Sequence, residues 1–250
     1  MSQKIFLAGA AGAIGRRLVP LLVRDGHRVF GTTRSTARVA DIEALGATPL
    51  IVDVFDADAL VRAVREAEPD IVIHQLTDLS SGLEQDPEAA RRANARLRRE
   101  GTANLVGAAI AAGAGRFVAQ SIAWAYAPGP TPYTEDAPLD VGAEGARHTT
   151  IVEGVVPLER AVLDASGLDG IVLRYGQLYG PGTWTQTPDG ASPLHVDAAA
   201  SAAALAIDHG APGVYNIADE GGVVSVGKAM TELGWSPAFR LDRSDSAITV

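Results

Sequence analysis

The segment from Ile5 to Gly15 constrains this chain more than any other. Ile5-Phe6-Leu7-Ala8 is a short apolar run with a lysine before it and glycine after it, the pattern of a strand buried on both faces of a parallel sheet. Gly9-Ala10-Ala11-Gly12-Ala13-Ile14-Gly15 follows at once, and Ile14, Leu18, Leu21 and Leu22 then recur at helical spacing. Gly9 permits a sharp turn, Gly12 lets backbone amides approach an anion, and Gly15 lets the helix lie close on the sheet. The helix N-terminus adds unpaired amides and a favourable dipole. Strand, glycine turn, helix and second strand in this order predict a dinucleotide-binding unit. Gly9, Ala11, Gly12, Ala13, Ile14 and Gly15 are then expected around the pyrophosphate.

The second strand, His27 to Thr33, bears on which dinucleotide. An acid near the end of this strand holds the ribose hydroxyls of NAD. Here the strand end reads Gly31-Thr32-Thr33-Arg34-Ser35-Thr36-Ala37-Arg38, with two arginines and no acid. A guanidinium is a planar fork suited to a phosphate monoester. Arg34, backed by Arg38 and the hydroxyls of Thr33 and Ser35, therefore reads as a 2′-phosphate clamp favouring NADP, with NAD as the alternative. The competing reading is a pair of solvated arginines in a first helical turn, a poor place for cations beside the helix dipole.

The chain's 250 residues suffice for one large α/β domain or two small ones. A formal charge of −9 argues against nucleic acid or an anionic membrane as partner. With no cysteine there are no disulfides, thiolate metal sites or cysteine nucleophiles. Lys4 and the apolar run after it superficially resemble a signal peptide, but the glycine turn and Arg16-Arg17 interrupt it early, so a cytoplasmic location is expected.

Further along, strands and helices alternate. A helix is expected over Thr36–Leu45, a strand over Thr48–Val52, a helix over Ala57–Glu66 and a strand over Ile71–His74. A loop over Thr77–Pro87 then leads to a long helix from Glu88 to about Ala112 and a strand over Arg116–Gln120. This alternation predicts a doubly wound parallel sheet with its ligand crevice at the carboxyl ends of the strands. Asp53 sits at such an end, as an acceptor for an adenine amino group beside the backbone of Val54, or equally as a turn aspartate. Arg91, Arg92, Arg96, Arg98 and Arg99 crowd one helix and read as a solvated face. Asn94 reads as a surface residue.

These stretches, with Gly101-Thr102-Ala103-Asn104-Leu105, Phe117-Val118-Ala119-Gln120-Ser121, Leu173-Arg174-Tyr175-Gly176, Tyr179-Gly180-Pro181-Gly182, His195-Val196-Asp197 and Tyr215-Asn216-Ile217, run in the order found in one superfamily. The chain resembles an extended short-chain dehydrogenase/reductase of the NAD(P)-dependent epimerase/dehydratase type. The resemblance implies a Rossmann domain over residues 1–180, with residues 181–250 as a small C-terminal lobe packed on it rather than an independent domain. It also implies that Gln75, Leu76 and Thr77 border the cofactor. The family's catalytic unit is a serine or threonine after the fifth strand, plus a tyrosine and a lysine four residues later on the next helix. Ser121 matches the serine. On the helix over His148–Ala165 the tyrosine and lysine positions fall on Ile151 and Val155, and no such pair exists anywhere in the chain.

Three readings follow. The first is an oxidoreductase acting on a small carbonyl or alcohol, with Ser121 orienting the substrate and Tyr126, Tyr175, Tyr179 or His148 as candidate proton donors. The second is a cofactor-binding sensor, like the NmrA-type relatives. The third is an epimerase or dehydratase on a sugar-type substrate, against which stands the short remainder of fewer than seventy residues after Trp184. Trp124, Trp184 and Tyr179 are candidates to line a small apolar pocket, or ordinary packing residues. On His195-Val196-Asp197, helix-capping or docking falls to Asp197. No metal site is expected. The broad apolar arc of Ile151 to Ala165 would serve a homodimer, and the tail after Arg240 is expected to be disordered.

Overall fold

The computed structural model describes residues 1–78 and 85–241. The apolar runs form β1 (Lys4–Ala8), β2 (Arg28–Thr33), β3 (Thr48–Ile51), β4 (Ile71–His74), β5 (Arg116–Ile122) and β6 (Asp169–Tyr175). Short strands β7 (Gln177–Tyr179) and β8 (Pro193–His195) follow, then β9 (Gly213–Ile217). Seven of these make one sheet in the order β3-β2-β1-β4-β5-β6-β9, with every ladder parallel. β7 and β8 pair separately, also in parallel. The strand order reverses between β1 and β4, which places a crevice at their carboxyl ends.

Successive side chains point to opposite faces, so each strand feeds two cores. Ile5, Leu7, Ile73, Val118 and Leu173 face α1 (Gly15–Arg24) and α8 (Val196–Leu205). Phe6, Val72, Phe117 and Val172 face the layer made by α3 (Ala57–Ala67), α5 (Thr102–Ala112) and α7 (Val156–Leu163). Residues Val196 to Ala203 of α8 are all buried, which their small side chains permit. Trp235 locks this helix from below, its Nε1 donating to the Ala198 carbonyl at 2.8 Å.

Three helices differ from their expected form. The helix expected from Glu88 to Ala112 is α4 (Pro87–Arg96) joined to α5 by a π-helical turn over Leu97–Gly101. The helix expected over His148–Ala165 is α6 (Gly145–Thr150), a second π-helical turn over Ile151–Val155, and α7. A π turn accommodates one extra residue, so every side chain beyond it is rotated from the face that a regular helix would give it. Arg98 is the main casualty: expected on a solvated face, it is 8 % exposed. Between β2 and β3 the helix expected over Thr36–Leu45 is a 3₁₀ turn over Thr36–Arg38 followed by α2 (Val39–Ala44). Of the arc expected to serve a dimer, Ile151, Val155, Leu158 and Val162 are buried, while Leu163 is 40 % exposed. Beyond Leu241 the expectation for the tail lies outside the described residues. Among the described residues no helix is long and apolar enough to cross a membrane.

Candidate functional site

A cleft of about 560 Å³ opens at the strand-order reversal. Gly9, Ala11 and Gly12 form its floor, Thr32, Thr33, Arg34, Ser35 and Arg38 one end, Val52, Val54, Phe55 and Leu97 a wall, and Gln75 to Asp78 the opposite rim. The glycine turn is tight for definite reasons. Gly9 has φ +103°, and a Cβ there would lie 2.8 Å from the backbone carbon and oxygen of Gln75. A Cβ on Gly15 would lie 2.2 Å from the Gly9 carbonyl oxygen. The chain thus folds back on itself and leaves Gly12 facing the cleft. Ala13, Ile14 and Gly15 stand behind this floor: Ile14 is buried in the core, and the Ala13 carbonyl accepts from Arg17 at 3.2 Å.

At the β2 end, Arg34 is exposed and has no hydrogen bond or ion pair among the described residues. Arg38 does: its Nη1 donates to Asp41 Oδ2 at 2.9 Å. The same oxygen accepts from Arg16 Nη2 at 3.0 Å, and Arg16 Nε donates to the Ala11 carbonyl at 3.0 Å. Asp41 therefore ties the glycine turn to the arginine-bearing loop. Thr33 Oγ1 is engaged locally, accepting from the Ser35 amide at 3.0 Å.

Asp53 does not line the cleft. It is exposed, and its Oδ1 accepts from the Phe55 amide at 3.0 Å in a local turn. Val54 does line it, and its carbonyl accepts from Asn104 Nδ2 at 2.8 Å. Val52, Phe55 and Leu97 were not foreseen; an apolar residue after a strand is common, and nothing in the sequence singles these out. Across the cleft, Gln75 Nε2 donates to Tyr175 Oη at 3.2 Å, while Gln75 Oε1 is buried without a partner. The Leu76 carbonyl accepts from Gln120 at 2.7 Å, Thr77 lies exposed on the rim, and Asn94 accepts from the Asp78 amide at 3.1 Å. A floor of bare backbone, an unpaired guanidinium, an apolar wall and an orphaned amide oxygen suit a nucleotide cofactor.

The residues considered for catalysis sit elsewhere. Ser121 lies inside β5, 3 % exposed, with its hydroxyl donating to Glu159 Oε1 at 2.7 Å. Glu159 also receives Arg174 through two bonds, Nε to Oε1 at 2.9 Å and Nη2 to Oε2 at 2.7 Å. Arg174 Nη1 then donates to Tyr126 Oη at 2.8 Å, and that hydroxyl donates to Asn216 Oδ1 at 2.6 Å. Ser121, Arg174 and Asn216 are neighbours in register across β5, β6 and β9, so one buried polar row crosses three strand ends. A lone arginine in the apolar run of β6 was the available signal.

Burial raises the Tyr126 phenol above its ordinary value, although Arg174 beside it pulls the other way. Burial likewise drives Tyr175 well up, against the opposing bond from Gln75. Tyr179 is raised by burial and by its bond to Asp219 at 2.9 Å. Burial alone would lower the Arg174 guanidinium, but Glu159 outweighs it and holds Arg174 above its ordinary value. His148 is on α6 with its ring half-exposed, Nδ1 3.0 Å from the Ala143 carbonyl and Nε2 3.8 Å from Glu153. Ile151 and Val155 are both fully buried, packed with Ile122 and Ala125. Trp184 is 73 % exposed and Trp124 39 %. His195, through Nδ1, caps α8, while Asp197 docks Arg17 at 2.7 Å. Among the described residues no group of His, Asp and Glu is placed to hold a metal.

Known proteins agree with this architecture. Residues 5–207 match the NAD dependent epimerase/dehydratase family. A 3-diazoavenalumate denitrifying reductase from a Streptomyces species is 42 % identical over 238 residues, covering 87 % of this chain and 76 % of the relative. Among solved structures, a UDP-glucose 4-epimerase from Thermotoga maritima superposes with a TM-score of 0.74 at 18 % identity, covering 94 % of each chain. A dTDP-glucose 4,6-dehydratase from Streptomyces venezuelae gives 0.73 at 21 %, covering 97 % of this chain and 94 % of that one. At such identities the structural likeness is one of fold alone. The match over residues 5–207 carries more: the chain belongs to the NAD-dependent epimerase/dehydratase family.

Proposed function

We propose that this chain is an NADP(H)-dependent reductase that passes hydride to a small electrophile and supplies no proton to it. One observation carries the reading. Where the family resemblance expects the tyrosine and lysine of a proton relay, Ile151 and Val155 form a buried apolar wall with Ile122 and Ala125. The other candidates offer little in their place. Ser121 is committed to Glu159, and Tyr126, Tyr175 and Tyr179 are weaker acids than a free phenol.

A bound nicotinamide dinucleotide would supply the hydride. The chain's own residues would hold it: the turn Gly9 to Gly15 with the N-terminus of α1 takes the pyrophosphate, and Arg34 takes a 2′-phosphate. Val54, Phe55 and Leu97 would offer the dinucleotide an apolar wall, and Gln75 Oε1 would be open to a donor of the nucleotide. Asp41 holds Arg38 and Arg16 in place around the phosphate end.

The relative's name, a denitrifying reductase of a diazo compound, supplies a fitting electrophile class, for which the form considered is an aryl diazonium cation. In its reduction hydride forms the new C–H bond at the ring carbon, the C–N bond breaks, and its electron pair leaves with N₂. No proton enters the balance, so a chain with Ile151 and Val155 in place of the relay's tyrosine and lysine is not handicapped. The test is NADPH oxidation with a benzenediazonium salt, against a panel of ketones and aldehydes. Deuterium from labelled cofactor should appear on the ring carbon, above the rate without protein. Turnover of ketones alone would overturn the hydride-only reading. Tight NADPH binding with no turnover of either class would favour the sensor reading, for which the absent relay is also the supporting observation.

A further inference from the structure

Beneath the cleft wall lies a cation that no hydrogen bond or ion pair answers among the described residues, only the field of Glu159. Arg98, on the π turn between α4 and α5, is 8 % exposed, and among the described residues it makes no hydrogen bond or ion pair. The nearby carboxylate, Glu159, is saturated by Arg174 and by Ser121. His74 offers nothing: its Nδ1 accepts from the Leu76 amide at 3.2 Å, which leaves the proton on Nε2, 3.1 Å from Thr102 Oγ1. Burial and the Arg98 charge push this imidazole down to about 3, so it stays neutral. The half-buried Glu135 lies at the far end of the row, where it accepts from the Asn216 amide. The buried layer thus holds two guanidiniums, Arg98 and Arg174, and one carboxylate between them.

An unpaired buried charge is among the least favourable arrangements a fold can carry. The chain nonetheless makes room for this one. Gly154 has no side chain where a Cβ would lie 3.3 Å from Arg98 Cδ and 3.2 Å from Ala95 Cα. The Arg98 stem therefore lies against the residue next to Val155, the position at which the family resemblance expects a lysine. On both flanking segments the adjoining residue, Leu97 or Gln75, lines the cleft. An arginine stem thus lies against that position, carried by a different helical segment and ending in a planar fork rather than an ammonium.

We propose that Arg98 is the receptor for a carboxylate carried by the substrate, bound side-on through two parallel N–H···O bonds. The inference deepens the reductase reading and rests on it for the word substrate. A guanidinium fork matches a carboxylate in shape and charge, and the cofactor's phosphates are already served by the glycine turn and Arg34. The electrophile is accordingly an aromatic acid, its ring between Arg98 and the hydride donor.

The experiment is calorimetric titration of benzoate and cinnamate, each against its methyl ester, into the full chain saturated with NADP⁺. The acids should bind at least ten-fold more tightly than the esters. Arg98→Met should erase that preference with NADP⁺ affinity unchanged, and Arg98→Lys should keep part of it. The ligand-free protein gives a second readout: Arg98→Met should unfold at a higher temperature than the parent, since an unpaired buried charge is gone. Unaltered acid preference in Arg98→Met would overturn the proposal, as would a lowered unfolding temperature with the preference intact. Failure of diazonium turnover with an Arg98-dependent acid preference would sink the reductase reading and leave the carboxylate receptor standing.

Discussion

Arg34 and Arg38 look equivalent in the sequence, four residues apart on one loop, but they are not. Asp41 neutralises Arg38 and leaves Arg34 alone to meet a phosphate. Arg34→Ala should therefore weaken NADPH by roughly 1.5–3 kcal/mol, the worth of a hydrogen bond to a charged group, and leave NADH nearly untouched. Parallel fluorescence titrations decide this, and equal losses would defeat the clamp. Asp41→Asn should lower affinity for both cofactors, because the bridge from the glycine turn to the loop is cut. The Glu159–Arg174 pair is a different matter. Both side chains are 5 % exposed, so Glu159→Gln leaves a guanidinium buried without its counter-charge. The loss should be about 3–5 kcal/mol in urea unfolding. The place of Arg34 at the cleft end of β2 was legible because a strand end has a known geometry. The sequence concealed the fate of Ser121 and Arg174, because their partner Glu159 is far along the chain and only the sheet register joins them.

Among the elements, the glycine turn was the most legible, since its shape is dictated by local backbone rules. Gly9→Ala should cost about 1–3 kcal/mol for the positive φ alone, with further loss from contact with Gln75, and cofactor binding should fall with it. Thermal unfolding with and without NADP⁺ separates the two effects. The π turns over Leu97–Gly101 and Ile151–Val155 were illegible. Their single extra residue leaves no compositional mark, and a regular helical count through Leu97–Gly101 turns Arg98 the wrong way. The same failing hid the fully buried setting of Val155, which a helical count leaves as one member of a broad apolar arc. Putting the family's lysine back should fail for that reason. Val155→Lys places an ammonium among Ile122, Ala125 and Ile151, and the variant should be less stable at pH 6 than at pH 9, where the amine can shed its proton.

For the molecule as a whole, acid should act first through His74. Its folded-state pKa is pushed down to about 3 by burial and by the Arg98 charge, while an unfolded histidine titrates near 6.5. Above the unfolded value both states are neutral and the group contributes nothing. Between the two values the unfolded chain takes up a proton that the folded one refuses, so stability falls by ~1.4 kcal/mol per pH unit as pH drops. The urea midpoint of the parent should accordingly decline between about pH 6.5 and 4, and His74→Asn should flatten that decline. An identical slope in both proteins would show that His74 protonates without unfolding. The doubly wound order followed from the alternation of runs, and β9 at the far edge completes it.

The apolar wall of Ile151 and Val155 has one last consequence, visible only in deuterated solvent. A reaction whose slow step moves hydrogen solely from the nicotinamide carbon is indifferent to the isotope of the surrounding water. Turnover should slow severalfold when that carbon carries deuterium and keep its pace in D₂O, the reverse of what a relay of phenol, amine and water would impose.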